Sequence, residues 1–224
     1  MSWFELLVFD WDGTLMDSEE RIVASASAAI AELGLPPRSR EAIRNIIGLG
    51  LPEAMQALYP GLDARSYVRL IDRYRDHFLA EAGSPMPLFP GAAETLTELR
   101  AAGFTLAVAT GKSRRGLDRA LAETQLAGLF AATRCADETR SKPHPQMLLE
   151  LMAELGRPAA ATLMIGDSEY DLQMALEAGV AAVGVGYGVK GCERLLDYRP
   201  LACFDVIQEL PGWLNARRDR EEDR

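Results

Sequence analysis

Two aspartates one residue apart, Asp10 and Asp12, end the first apolar run of the chain in Phe9-Asp10-Trp11-Asp12-Gly13-Thr14. Side chains two apart in an extended segment can point the same way. Carboxylates that close are costly unless one is protonated or a cation lies between them. Three further segments carry matching groups: Thr110-Gly111-Lys112-Ser113, Ser141-Lys142-Pro143-His144-Pro145 and Gly166-Asp167-Ser168-Glu169-Tyr170-Asp171. An all-oxygen set of this kind suits Mg2+, which keeps several waters and shares its shell with substrate phosphate. The chemistry that fits is a two-step phosphoryl transfer. One aspartate attacks phosphorus, and a second acid protonates the leaving oxygen and then deprotonates water. The metal and a lysine neutralise the equatorial oxygens. A Thr-Gly pair at a helix start offers a hydroxyl and amides to the phosphate.

These residues need elements that bring them to one place. Residues 4–9 read as a buried strand of a parallel sheet, stopping at Asp10. From 17 to 83 there is no strand candidate. Helical spacing covers 19–33 and 64–80, Ser39 can cap a second helix, and Pro52 can open a short one through Leu58. After Pro85, Pro87 and Pro90-Gly91 the pattern alternates. Strands are expected at 104–109, 131–135, 161–165, 180–185 and near 201–205, with helices at 91–102, 114–125, 145–155, 169–178 and 206–215. Such alternation predicts an α/β fold with a Rossmann-like parallel sheet. Ligands then bind outside the carboxyl ends of the strands, where the reactive segments fall. The expected domains are a core at 1–16 and 84–216, a helical insert at 17–83 and a charged, disordered tail at 217–224.

Bulk properties exclude some classes. A net charge of -9 and a pI near 4.9 argue against nucleic acid or an anionic membrane as partner. No apolar run reaches the length of a membrane helix. Three scattered cysteines, Cys135, Cys192 and Cys203, without a CxxC pair, predict reduced thiols in a cytoplasmic protein. Oligomeric state is left open. Lys112, Arg114, Arg115 and Lys190 read as solvated surface residues, and Trp11 as packing. His77 reads as structural or exposed, and His144 as a helix cap.

The four segments, in this order and spacing, resemble the motifs of the haloacid dehalogenase (HAD) superfamily, in its phosphoglycolate-phosphatase-like branch. The likeness covers nearly the whole chain: Asp10-Trp11-Asp12-Gly13-Thr14-Leu15, Thr110-Gly111-Lys112, Lys142-Pro143, and Gly166-Asp167 with Asp171. It implies that Asp10 is the nucleophile and Asp12 the general acid/base. It implies that Thr110 and Gly111 bind the phosphoryl group, and that Lys142 holds phosphate and nucleophile together. Mg2+ would be bound by Asp10, the Asp12 carbonyl and Asp167, with Asp171 joining directly or through water. The helical insert would be a cap that closes on the site, with Gly48-Leu49-Gly50-Leu51-Pro52 as its contact loop. The implied activity is hydrolysis of a small phosphorylated metabolite, phosphoglycolate-like esters among the candidates. The second aspartate disfavours dehalogenation. The absence of any lysine before Lys112 disfavours Schiff-base phosphonate chemistry. A sugar-phosphate mutase is the alternative, with Arg44 as the basic residue near the loop, and a catalytically silent phosphate-binding protein is another.

Overall fold

In a computed structural model the described residues are 4–80 and 86–222, with side chains through 218. Six strands form one parallel sheet in the order β3-β2-β1-β4-β5-β6. Strand β1 (Leu6–Phe9) is followed by four helices: α1 (Glu19–Glu32), α2 (Arg40–Arg44), α3 (Leu51–Leu58) and α4 (Ala64–Ala80). Then come α5 (Ala92–Ala101), β2 (Thr105–Thr110), α6 (Arg114–Thr124), β3 (Ala132–Cys135) and α7 (Gln146–Leu155). The chain continues through β4 (Thr162–Gly166), α8 (Glu169–Glu177), β5 (Ala181–Val185), α9 (Cys192–Leu195), β6 (Cys203–Phe204) and α10 (Glu209–Glu222).

The continuous apolar run of β1 is explained by burial on both faces. Leu7 and Phe9 face a core shared with Leu96, Leu99, Leu117 and Leu210, while Leu6 and Val8 face Met147, Leu148, Leu151 and Met174. Helices α5, α6 and α10 therefore cover one side and α7 and α8 the other. Strands β2 and β4 each run one residue beyond the expected end, so Thr110 and Gly166 close their strands.

Helices α1–α4 have an apolar core of their own, built on Val23, Ala26, Ile30, Ile43, Met55, Leu58, Leu70 and Ile71. Ser39 caps α2 by accepting from the Ala42 amide at 3.1 Å. Helix α2 is only five residues long. Ile46 and Ile47 are buried as expected, but they lie in turns that lead to Gly48, whose φ is +104°. The expected boundary at 83/84 and Pro85 lie outside the described residues, as do residues 1–3 and the last two of the charged tail.

Two expectations are corrected. Helix α10 continues to Glu222, so most of the stretch expected to be disordered is helical. Leu210 and Leu214 anchor it on the sheet, and Arg217 lies over the rings of Phe4 and Trp213. The arginines and glutamates beyond are good helix formers. Second, Cys192 and Cys203 are not free thiols but form a disulfide, with Cα atoms 5.8 Å apart. Spacing in sequence could not reveal this pair. It arises because β6 pairs beside β5 while α9 folds back over the strand. Gly186 leaves the necessary room: a Cβ there would stand 2.6 Å from Cys192 Sγ. Cys135 is free, as expected, and it is buried.

Candidate active site

The two central strands place the first acids. Asp10 follows β1, with its amide on the Ile165 carbonyl of β4 at 2.9 Å. Asp167 follows β4, and Asp171 sits in the first turn of α8. Each of the three offers a carboxylate oxygen, all within 4.8 Å of one another. Lys142 reaches the same point from the loop after β3. Its side chain is fully buried, with Nζ 2.6 Å from Asp10 Oδ1 and 2.6 Å from Asp171 Oδ1.

The remaining contacts orient the acids. Asp167 Oδ1 accepts from the Thr14 hydroxyl at 3.2 Å, and its Oδ2 from the Val189 amide at 2.7 Å. Asp171 Oδ2 accepts from the Ser168 amide and hydroxyl at 3.1 and 2.7 Å, closing a capping box. Gly13 makes the turn after Asp12 at φ +86°, where a Cβ would stand 2.2 Å from Asp167 Oδ2. A side chain there would both strain the turn and displace the acid.

The electrostatics call for a cation. Burial pushes the Asp10 carboxyl well above its ordinary value; Lys142 opposes this, and Asp171 and Asp167 add to it. Burial and the Asp171 charge push Asp167 up to about 7. Burial works against the charge of Lys142, but Asp10 and Asp171 outweigh it and hold the ammonium above its usual range. Three carboxylates face one ammonium, and buried Asp10 Oδ2 has no hydrogen-bond partner among the described residues. A hard divalent ion fits this donor set.

Asp12 departs from expectation. Its carboxylate is not one of the three that cluster, and the chain bends at Trp11. Instead Asp12 Oδ1 accepts from Ser18 Oγ at 2.5 Å and meets Lys112 Nζ at 2.9 Å. Lys112, expected to be solvated, has a side chain only 9% exposed and lies against the Phe78 ring of α4. Thr110 is fully buried and its Oγ1 accepts from the Lys112 amide at 3.2 Å. Gly111 is approached by the Leu49 carbonyl, which a Cβ would meet at 2.4 Å.

The segment 44–50 of the insert lies on the strand-end loops. The Gly50 amide donates to Ser141 Oγ at 2.7 Å, Tyr170 Oη donates to the Asn45 carbonyl at 2.8 Å, and Lys190 Nζ donates to Asn45 Oδ1 at 2.8 Å. Arg44 Nη2 donates to the Val189 carbonyl at 2.9 Å, while its Nε pairs with Glu19. A cavity of about 640 Å³ opens at this seam, lined by Arg40, Arg44, Lys190 and Arg194 among others, and not by the aspartates. Lys190, expected on the surface, is buried between Asn45 and Glu169.

His144, expected to cap α7, stands one residue before the N-cap, Pro145; its Nδ1 accepts from the Gln146 amide at 3.2 Å and its Nε2 meets Arg140 at 2.6 Å. His77 pairs with Glu32, Arg114 with Glu138 and Asp118, and Trp11 packs edge-on against Phe130. Sequence reasoning missed Thr14, Ser18, Ser141 and the Val189 amide. Ser168 and Asp171 carried a readable signal, the serine and acid three apart at a helix start. Ser18 and Ser141 carried none. Among the described residues, no helix is long and apolar enough to cross a membrane.

Comparison with known proteins shows the family of the chain. The family model described as haloacid dehalogenase-like hydrolase matches residues 7–185. The protein named probable phosphatase IndB of Dickeya dadantii is 36% identical over 215 residues, covering 94% of each chain. A phosphoglycolate phosphatase of Pseudomonas syringae pv. tomato is 34% identical over 218 residues, covering 94% of this chain and 80% of its own. Among solved structures, a predicted phosphatase from Clostridium acetobutylicum superposes with a TM-score of 0.86 at 27% identity, covering 96% of this chain and all of its own. The chain belongs to the haloacid dehalogenase-like hydrolases and is an enzyme of their phosphatase kind.

Proposed function

We propose that the protein is a Mg2+-dependent phosphatase that hydrolyses a small phosphorylated metabolite through a phosphoryl group carried on Asp10. The observation that carries this reading is the state of Asp10 itself. Its carboxylate is buried at a strand end, with Oδ1 on Lys142 and Oδ2 without a hydrogen-bond partner.

Mg2+ held by Asp10, the Asp12 carbonyl and Asp167, with Asp171 beside them, supplies positive charge against the phosphoryl oxygens when bound. The rest is done by the chain. The Asp10 carboxylate attacks phosphorus as the bond to the leaving alcohol oxygen breaks, and Asp12 gives that oxygen its proton. Asp12 then takes a proton from water as the water attacks phosphorus, and the bond to Asp10 breaks, freeing phosphate and restoring both aspartates. The Thr110 hydroxyl and the Gly111 amide receive the phosphoryl oxygens, and Lys142 balances the charge that shifts from Asp10 to them. Helices α1–α4 act as the cap, and its loop Gly48-Leu49-Gly50 excludes water from the first half-reaction.

The names of the relatives make phosphoglycolate-like esters the first substrates to try. A sugar-phosphate mutase is the weaker reading. It needs a basic group in the cap loop for a second phosphate, and Arg44 is held by Glu19 and the Val189 carbonyl. A silent binding protein has no need of the full set of motif residues. The test is release of phosphate from an aryl phosphate with Mg2+, with EDTA, and with Asp10→Asn. EDTA should abolish release, and the variant should lose about a thousandfold or more. Equal rates from wild type and Asp10→Asn would end the reading.

A further inference from the structure

We propose that the cavity at the seam between the helical insert and the sheet binds a small polyanion, one with two or more phosphate or carboxylate groups, and that this ligand ties the two parts together and slows turnover. The binding stands apart from the phosphatase reading above; the effect on turnover rests on it. The cavity, of about 640 Å³, has the size of a small-molecule site. Arg40 and Arg44 reach it from α2, Lys190 from the loop after β5 and Arg194 from α9. Glu41 is the one acid in its lining among the described residues. Glu19 and Glu20 hold Arg40, Glu19 also holds Arg44, and Glu169 holds Lys190, but none of those three acids lines the cavity. Arg194 has no carboxylate partner among the described residues. Its Nη1 shares Asn45 Oδ1 with Lys190 Nζ, at 3.4 and 2.8 Å, so two cations converge on one neutral amide oxygen. Burial holds the Lys190 ammonium below its usual range, and the Arg194 charge adds to this against Glu169. An anion between the two cations relieves their repulsion.

The lining selects the ligand. Guanidinium forks take phosphate or carboxylate oxygens in pairs. No aromatic ring lines the cavity and Val189 is its single apolar side chain, so the ligand is compact and charged rather than a nucleoside. A single phosphate engages part of a space walled by two elements. Two linked anionic groups engage the arginines of α2 and the cations at 190 and 194 together. Val189 connects this space to the acids. Its carbonyl accepts from Arg44 Nη2 at 2.9 Å, and its amide donates to Asp167 Oδ2 at 2.7 Å. The neighbouring Gly188 lies so close that a Cβ would stand 2.3 Å from the Gly13 carbonyl. A shift of Arg44 toward a ligand is therefore felt at Asp167, and a ligand held by both parts opposes opening of the cap.

Calorimetric titration of metal-free protein, itself freed of chelator, reads the binding of pyrophosphate, citrate and orthophosphate. Without metal the buried cluster of Asp10, Asp167 and Asp171 repels anions, so the heat reports the seam. Pyrophosphate and citrate should bind at least about tenfold tighter than orthophosphate, and the tighter of the two names the source of the anionic groups. Arg40→Gln and Arg194→Gln should each weaken binding about ten- to a hundredfold, the worth of one hydrogen bond to a charged group. Glu41→Gln should tighten it, a gain that misfolding cannot mimic; thermal melts of the unliganded variants check the rest. With free Mg2+ held constant, the tighter anion should inhibit release from an aryl phosphate in a way that saturating ester does not relieve, and Arg194→Gln should need about tenfold more of it. No binding, orthophosphate bound as tightly as the larger anions, affinity unmoved by all three substitutions, inhibition that saturating ester abolishes, or binding without effect on turnover overturns the proposal. No release from the aryl phosphate in the absence of any anion counts against the phosphatase reading instead, and the titration still decides whether the seam binds.

Discussion

The ammonium of Lys142 stands 2.6 Å from the Asp10 carboxylate, and neither side chain meets solvent. Such a pair is justified less by stability than by what it prepares, because burying two charges costs about what their attraction returns. Breaking it is another matter. Lys142→Met leaves Asp10 and Asp171 facing each other without their cation. The metal-free variant should lose roughly 3–5 kcal/mol in urea denaturation, and its turnover should fall by at least about a hundredfold. Unchanged stability and turnover would show that the pair is incidental.

The contribution of Asp167 to the stability of the metal-free protein should fall as pH rises from about 4 to about 7. Asp167 titrates near 7 in the folded chain against an ordinary 3.8, raised first by burial and then by Asp171. Between those values the folded state holds a proton that the unfolded chain has released, so unfolding is favoured as pH rises. The contribution is whole below the lower value and gone above the upper one. Asp10 is shifted in the same direction. Denaturation in EDTA across this range should show a shallower slope for Asp167→Asn than for wild type. Identical slopes would contradict the assignment.

Thiol counting tests the bridge between Cys192 and Cys203. Burial pushes the Cys135 thiol up to about 12. The native oxidised protein should therefore show no thiol reactive to an aromatic disulfide reagent at pH 8. Unfolding without reductant should expose one thiol, and reduction three. The bridge closes a loop of about a dozen residues, so Cys203→Ser should destabilise the oxidised protein on the order of 3 kcal/mol. Three reactive thiols in unfolded, unreduced protein would remove the bridge.

The sheet was legible because its strands are buried on both sides, and near-continuous apolar runs such as 4–9 and 161–165 leave few other readings. Asp10, Lys142, Asp167 and Asp171 were legible because each stands at or near a strand end in a recognisable segment. Asp12 was legible as a residue but not as a direction, since its side chain depends on the turn at Trp11. Lys112 was misread because a lysine opening a helix is ordinarily solvated; only the return of α4 over it, a contact from 34 residues away in sequence, encloses it. The disulfide was unreadable for the same kind of reason. It depends on where β6 pairs, and two residues of strand carry little signal.

The central claim is that the phosphoryl group is carried on Asp10. Asp12→Asn should accept it and release it slowly, because water then lacks its base. Acid quenching of that variant with Mg2+ and phosphate ester, followed by peptide mass spectrometry, reads the adduct directly. The account predicts a gain of about 80 Da, one phosphoryl group, confined to the peptide that contains Asp10, removed by hydroxylamine and absent when Asp10 is also changed to Asn. An adduct on another residue would contradict it, as would an adduct that survives in the double variant.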